Sequence, residues 1–246
     1  MHILSFNLRV NVSVDGKHAW PYRKDAVIKF LKKEDFDIIG LQEVTPDMYQ
    51  DLLYALPHYH FIYQPRDTYG EAAPLLVKKD IFEIIEENTF WLTDTPYVQS
   101  KLDGSAFHRT ASYAILKSRN GHMFAIFNTH LDYLEGHTIY HQTAYLYEMM
   151  KSLAEKHQAS FILTGDMNQH PSDLAIKFLS SYLESCYQKD SDFGLTYHGF
   201  TKNETGLPID YIFYSKDLVS SMFKIHHHTS DIFLSDHYPI SLILKK

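Results

Sequence analysis

Six short apolar runs in this chain each stop at a polar side chain able to bind a metal or handle a proton: Asn7, Glu43, His130, Asp166, Asp210 and the adjacent pair Asp236-His237. A run such as Phe161-Ile162-Leu163 reads as a buried strand, and in layered α/β proteins strand ends are where ligands bind. One rim is therefore expected to collect all six. Carboxylates are the hard oxygen ligands that Mg²⁺ prefers, and imidazoles exchange protons near neutral pH.

Thr164-Gly165-Asp166-Met167-Asn168-Gln169-His170-Pro171 carries the sharpest signal. Glycine lets the chain turn at the strand end, and side chains two residues apart can point the same way. An acid that holds a water beside an amide that donates to a phosphoryl oxygen would suit a phosphate reaction. The competing reading is an Asp/Asn turn that caps the next helix. In Ser235-Asp236-His237-Tyr238-Pro239 the acid and the imidazole are adjacent, so on an extended chain they point apart. His237 then needs another carboxylate to set its tautomer, which leaves Asp236 free for a metal. Asp210 interrupts the apolar stretch Pro208–Ile212 and is the natural partner, because a carboxylate inside a strand is costly unless paired or ligated. An edge-strand aspartate facing water is the alternative. Glu43 closes its strand with a carboxylate suited to Mg²⁺. His130, in Phe127-Asn128-Thr129-His130-Leu131-Asp132, could donate to a phosphoryl oxygen or leaving group, against the commoner structural role of a lone histidine.

The elements that must position these residues are legible from periodicity. His2–Phe6 alternates as a strand, a helix begins near Pro21 with Val27, Phe30 and Leu31 on one stripe, and Phe36–Leu41 forms the next strand. Thr45-Pro46 marks the N-cap and first turn of a helix through Leu56. Strands follow over 61–63, 74–77, 82–92, 111–116 and 123–127, the last two joined at the hairpin signal Asn120-Gly121. A long helix over Thr138–His157 precedes a strand at Ser160–Leu163, and a shorter helix follows Pro171-Ser172. The tail holds strands near 209–214, 222–226 and 238–244. Strand, acid, then Thr-Pro or Pro-Ser before a helix occurs around Glu43 and again around Asp166, which hints at two related halves. Two mixed sheets packed face to face with helices outside, in one domain over residues 1–246, satisfy this order.

Composition narrows the function classes. The chain is 45% hydrophobic, 22% charged and 15% aromatic, enough for a large core without disulfides. The lone Cys186 excludes an internal disulfide, and no leader-like segment follows Met1, so a cytoplasmic location is expected. No apolar stretch reaches the roughly 20 residues that span a bilayer. Lys+Arg 23 against Asp+Glu 30 gives a net charge of −7, whereas proteins that grip duplex DNA carry a basic stripe. A small or short phosphorylated substrate is the expected partner, and duplex nucleic acid is not favoured; the oligomeric state is not specified. Lys29-Lys32-Lys33 and Lys78-Lys79 read as solvated faces. His226-His227-His228 reads as surface, because consecutive strand residues alternate faces and cannot all ligate one ion.

In order, Ser5-Phe6-Asn7, Leu41-Gln42-Glu43, Asn128-Thr129-His130-Leu131-Asp132, Gly165-Asp166-Met167-Asn168, Ile209-Asp210-Tyr211-Ile212 and Ser235-Asp236-His237 resemble the motifs of the endonuclease/exonuclease/phosphatase superfamily of Mg²⁺-dependent phosphoesterases, across the whole chain. The resemblance implies a four-layered α/β sandwich of the DNase I type, with Mg²⁺, or Mn²⁺ as a substitute, on Glu43 and with Asn7 and Asp236 in the metal shell. It implies that Asp166 orients or deprotonates the attacking water and that Asn168 holds that water and the phosphoryl oxygens. His237, paired with Asp210, would stabilise transition-state charge or act as the base, and His130 would donate to the phosphate or leaving oxygen. The base stays open between Asp166 and His237, as does the choice between one metal and two. The reaction implied is in-line attack of water on phosphorus without a covalent enzyme intermediate.

Trp20-Pro21-Tyr22-Arg23, Phe90–Pro96 and the Arg109 region further resemble a bacterial branch of predicted hydrolases. Arg109 could clamp a phosphate bidentately or form a surface ion pair; Asp132 joins it as a substrate-binding candidate. Leu76-Val77, where that branch carries an aromatic, and Phe107-His108 depart from the pattern and bear on substrate preference. On this core, relatives cleave nucleic acids, sphingomyelin headgroups or inositol phosphates, and the acidic charge favours a small monoester or diester or a short single strand. A binuclear metallophosphatase needs Asp-x-His near its N-terminus, where Asn7 stands instead, and Gly-x-Ser-x-Gly is absent. A non-catalytic binding module would have eroded motif positions, and here all carry competent side chains.

Overall fold

The computed structural model describes residues 1–68, 70–189, 193–227 and 232–246. The first of two six-stranded sheets contains β1 (His2–Asn7), β2 (Ile38–Gln42), β3 (Tyr59–Ile62), β4 (Leu75–Lys78), β11 (Val219–Ile225) and β12 (Ile240–Lys245), in the order β11-β12-β1-β2-β4-β3. The second contains β5 (Phe82–Trp91), β6 (Thr110–Ser118), β7 (Met123–His130), β8 (Ser160–Asp166), β9 (Glu184–Ser185) and β10 (Asp210–Tyr214), in the order β5-β6-β7-β8-β10-β9. Each sheet centres on one parallel pair, β1/β2 or β7/β8, flanked by antiparallel neighbours. The same strand pattern therefore underlies both halves.

Helices α1 (Trp20–Glu34) and α2 (Pro46–Ala55) cover the first sheet, where Val27, Leu31, Met48 and Leu52 pack with Leu4, Phe6, Ile39 and Leu41. Helices α3 (Gly136–His157) and α4 (Leu174–Tyr182) cover the second, with Leu146, Met150, Ile176 and Leu179 in the other core. That core also takes in Ile3, Ile38 and Val77 from the first sheet, so it fills the space between the sheets. The order is helix, sheet, sheet, helix: the four-layered α/β sandwich expected.

Alternation within the strands builds a gradient across the inter-sheet layer. Ile3, Ser5 and Asn7 share one face of β1, Ile38, Gly40 and Gln42 one face of β2, and Ile162, Thr164 and Asp166 one face of β8. The apolar members sit at one end and the polar members at the other. Midway, the buried Asn128 of β7 ties the sheets together. Its Nδ2 donates to the Leu41 and Pro74 carbonyls at 2.7 and 2.9 Å, and its Oδ1 accepts from Gln42 Nε2 at 2.7 Å and Thr164 Oγ1 at 2.9 Å. All four hydrogen-bonding positions of that amide are used. Only glycine fits at position 40, where a Cβ would overlap Thr164 Oγ1 and lie 2.5 Å from Asn128 Oδ1.

Several boundaries differ from expectation. β7 and β8 continue to His130 and Asp166, and the two-residue β9 carries no sequence signal. Thr45 precedes α2 without capping it, since its hydroxyl donates to Asp47 Oδ1 at 2.5 Å. His226 is buried, not on the surface: its Nε2 meets Ser241 Oγ at 2.8 Å and its ring packs edge-on against Phe30. His227 is exposed, and His228 lies outside the described residues. No helix among the described residues is long and apolar enough to cross a membrane.

Candidate active site

Sheet register collects the candidates. His130 of β7 pairs with Asp166 of β8, and Asp166 pairs with Asp210 of β10, so the three lie in a row across adjacent strands. In the other sheet Asn7 pairs with Gln42, and Glu43 follows one residue on. One expectation needs correcting. Asp210 opens β10, and Asp236-His237 precede β12, so these three stand at strand beginnings. Both strands run antiparallel to their neighbours β8 and β1, which brings their first residues to the rim where β1, β2, β7 and β8 end.

Asp166 occupies the centre and is buried. Its Oδ2 accepts from Asn7 Nδ2 at 2.9 Å and its Oδ1 from the Asn168 backbone N–H at 2.9 Å. The Nε2 atoms of His130 and His237 stand 3.6 and 3.7 Å from Asp166 Oδ2. His237 Nδ1 is bonded to Asp210 Oδ2 at 2.8 Å, the third-party carboxylate that the Asp236-His237 adjacency required. Asn7 also donates to Glu43 Oε1 at 3.0 Å, while its Oδ1 accepts from Arg9 N–H at 2.9 Å. Glu43 Oε2 accepts from Val10 N–H at 2.8 Å. Asp236 lies 3.7 Å from the Arg9 guanidinium. Glu43 and Asn168 both adopt left-handed backbone, with φ of 60° and 51°. Non-glycine residues hold that conformation at a cost of about 1–3 kcal/mol, so the surrounding hydrogen bonds must fix both turns. Asp166 and Asn168 thus do form an Asx turn, but Asn168 caps no helix: its amide donates to the Leu131 carbonyl at 3.0 Å and faces His130 Nε2 at 3.1 Å.

The charges are crowded. Burial and the charge of Asp210 push Asp166 up to about 7. Burial, with Glu43 nearby, also raises Asp236. Burial lowers His237, but Asp210 and Asp166 outweigh it and carry the imidazole up to about 10. Asp210 Oδ1 is buried without a hydrogen-bond partner. Ligand atoms of Asp166, Asp210 and His237 all fall within 4.8 Å of one another. A site whose carboxylates resist ionising and leave an oxygen unpaired fits a bound cation.

Sequence reasoning missed Glu71. No strand ends on it; it stands in the loop before β4, and the bridge between Val44 and Ala72 carries it beside Glu43. Its Oε1 lies 2.6 Å from Arg66 Nη1, 3.6 Å from Arg109 and 3.7 Å from His130 Nδ1. Burial and Glu43 raise Glu71 to about 6. Because the Asn168 amide donates toward His130 Nε2, that nitrogen accepts and the ring proton belongs on Nδ1, which faces Glu71. Burial and the Arg109 charge hold His130 well below its ordinary value, so it is neutral. In this arrangement His130 accepts at Nε2 and turns its one N–H, at Nδ1, toward Glu71.

Arg9 and Arg23 were also missed as site-builders. Arg9 is bonded to Asp15 at 3.0 and 3.1 Å and leans toward Asp236. Arg23 is buried and donates to three backbone carbonyls, those of His18, Leu234 and Arg9, each at 2.7 Å. It therefore ties the loop after β1 to the loop that carries Asp236. Arg109 is no surface ion pair: it is buried between Glu71 and Asp132, the latter at 3.4 Å. Asp132 is wholly buried and accepts from Ser105 Oγ and from the backbone N–H groups of Ala106, Phe107, Tyr133 and Leu134. Its oxygens are committed within the chain, where they shape the loop leading to Arg109.

Comparison with known proteins adds the decisive observation: the model of the Endonuclease/Exonuclease/phosphatase family matches residues 4–237. The chain belongs to that family. No curated protein matches it. Among solved structures it is similar to a family member from Bacteroides vulgatus, at 28% identity over 99% of this chain and 98% of that one, with a TM-score of 0.92. It is equally similar to a mannosyl-6-phosphatase from Bacteroides thetaiotaomicron, at 28% identity over the full length of both chains, with a TM-score of 0.91. The human Nocturnin catalytic domain, at 21% identity over 100% and 93% of the two chains and a TM-score of 0.80, shares the fold. Within the endonuclease/exonuclease/phosphatase family, then, this chain has a rim where Glu43, Glu71, Asp166, Asp210 and Asp236 meet His130, His237, Asn7 and Asn168, built from both sheets.

Proposed function

We propose that this family member is a divalent-metal-dependent phosphoesterase that hydrolyses a small phosphate ester, with sugar phosphates as the first class to test. The observation that carries the reading is Asp166, buried at the meeting point of Asn7, Asn168, His130 and His237 and titrating near neutrality. The full-length likeness to a sugar phosphatase supports the substrate class, and the net charge of −7 argues against duplex nucleic acid.

Glu43 and Asp236 would hold Mg²⁺, or Mn²⁺ in its place, and Asn7 holds Glu43 in position. Bound there, the cation supplies charge neutralisation at the phosphoryl oxygens. Asp166, able to ionise near pH 7, accepts the proton of the attacking water. His237 stays protonated behind it and donates toward the transferring group, with Asp210 fixing its tautomer. On this reading Asp166 is the base and His237 the charge stabiliser. The Asn168 amide, bonded to His130 Nε2 and the Leu131 carbonyl, fixes His130 from one side, and Arg109 fixes Glu71 and, through it, His130 from the other.

A phosphate-release assay over sugar phosphates, nucleotides, oligonucleotides and phospholipid headgroups, with and without EDTA, tests the assignment. Turnover that needs the metal and falls about 10²–10⁴-fold in Asp166→Asn is the expected result. Equal rates in the variant would remove Asp166 from the mechanism.

A further inference from the structure

The first turns of α3 carry His137 and His141, both exposed and four residues apart on one face. Their rings stand at 72° with centroids 4.3 Å apart, and the two Nε2 atoms face each other at 3.2 Å. No motif of the family absorbs this pair. Without a metal the two nitrogens can share one proton, one donating and the other accepting. The same separation has a second meaning. With zinc–imidazole bonds of about 2.0–2.1 Å, a 3.2 Å gap between nitrogens corresponds to an N–metal–N angle of about 100–106°, close to tetrahedral.

We propose that His137 and His141 form a surface chelate for a borderline divalent transition metal, with Zn²⁺ or Ni²⁺ as its class of ligand, outside the catalytic rim. Imidazole nitrogen suits these ions, whereas Mg²⁺ demands oxygen ligands and retains its water, so the pair does not compete for the catalytic cation. Two protein ligands leave the remaining positions to water, which makes the site open and reversible. The chelate also has a structural consequence. Thr138, next to His137, donates to the Asp103 carbonyl at 3.1 Å. Gln142, next to His141, accepts from Asp132 N–H at 2.9 Å and donates to Ser105 Oγ at 3.1 Å. The turn that a metal would staple is the one that anchors the loops on either side of Arg109.

Calorimetric titration of tag-free protein with Zn²⁺, in saturating Mg²⁺, tests this directly against His137→Ala and His141→Ala. The wild type should take up one more equivalent than either variant. Loss of one ligand should weaken that equivalent by more than the roughly 10–100-fold that loss of an outer partner costs. The wild-type melting temperature should rise by roughly 3–6 °C at free Zn²⁺ about ten times the dissociation constant, and the variants should not follow. Mg²⁺-dependent turnover should stay unchanged in both variants, so this outcome is independent of the proposed activity. Superimposable isotherms for wild type and variants, or a wild type that binds no Zn²⁺ below about 1 mM, would overturn the chelate.

Discussion

Burial and Asp210 bring Asp166 up to about 7, while Asp210 and Asp166 together keep His237 protonated up to about 10. In the proposed reaction the acid would work ionised and the imidazole protonated, which sets the signs. With saturating Mg²⁺, whose charge favours the deprotonated forms, kcat/KM should rise along a limb below about 7 and fall along one below about 10, and Asp210→Asn should move the upper limb down by removing the charge that holds the proton on His237. A profile without an upper limb would deny His237 its role. Glu71 poses a different question, because it touches His130 only through Nδ1. Glu71→Gln should leave the fold intact and lower kcat by about 10–100-fold, the usual cost of losing a partner that orients a functional histidine. Kinetics of the purified variant, read beside its melting curve, separate that effect from unfolding. Asp166, Asn168, Asp210 and His237 were legible in the sequence because each borders an apolar run, which reports strand and rim at once. Glu71 stands before the apolar run 72–77, at its start and not its end, and Arg9 and Arg23 border none. They reach the site through a loop bridge, a left-handed turn and bonds to backbone carbonyls, and none of these leaves a pattern in residue types.

At the scale of elements, the strands and helices follow the periodicities, because each buries one or both faces against a neighbour of known type. The direction of β10 and β12 did not follow, since alternation reads the same forwards and backwards along a strand. Direction came from pairing: β10 runs against β8 and β12 against β1. What locks the two rows of site residues together is the Asn128 tie between the sheets. Removing that side chain would take the donor from the Leu41 carbonyl and the acceptor from Gln42 Nε2 and Thr164 Oγ1, each at about 1–3 kcal/mol, while the Pro74 carbonyl keeps the Leu41 N–H. Asn128→Ala should therefore lower stability by about 2–5 kcal/mol, the midpoint in urea reporting the loss. Because the tie lies directly below Asn7 and Asp166, the same variant should lose activity before it unfolds. A midpoint within error of the wild type would show that water replaces the amide.

Considered whole, the molecule brings its carboxylates to the rim from both sheets: Glu43 follows β2, Asp236 precedes β12, and Asp166 ends β8. Burial, with repulsion from Asp210, raises Asp166 in the second sheet, and burial, with repulsion from Glu43, raises Asp236 in the first. A cation held by Glu43 and Asp236, which flank β2 and β12 of one sheet, would turn the repulsion between them into attraction along that rim, and only the folded chain presents both. Binding to the folded state alone stabilises by about 2.7 kcal/mol when Mg²⁺ reaches one hundred times its dissociation constant. For a chain of this length that corresponds to a rise of roughly 5–10 °C in melting temperature. Scanning calorimetry across a Mg²⁺ series should show the rise, EDTA should reverse it, and Glu43→Gln should blunt it by removing a charged ligand. The last comparison is the sharpest, because Glu43→Gln also removes one repelling charge and so should raise the melting temperature of the metal-free protein. Opposite shifts with and without Mg²⁺ identify Glu43 as a metal ligand, whereas parallel shifts would mean that its carboxylate serves the fold and not the cation.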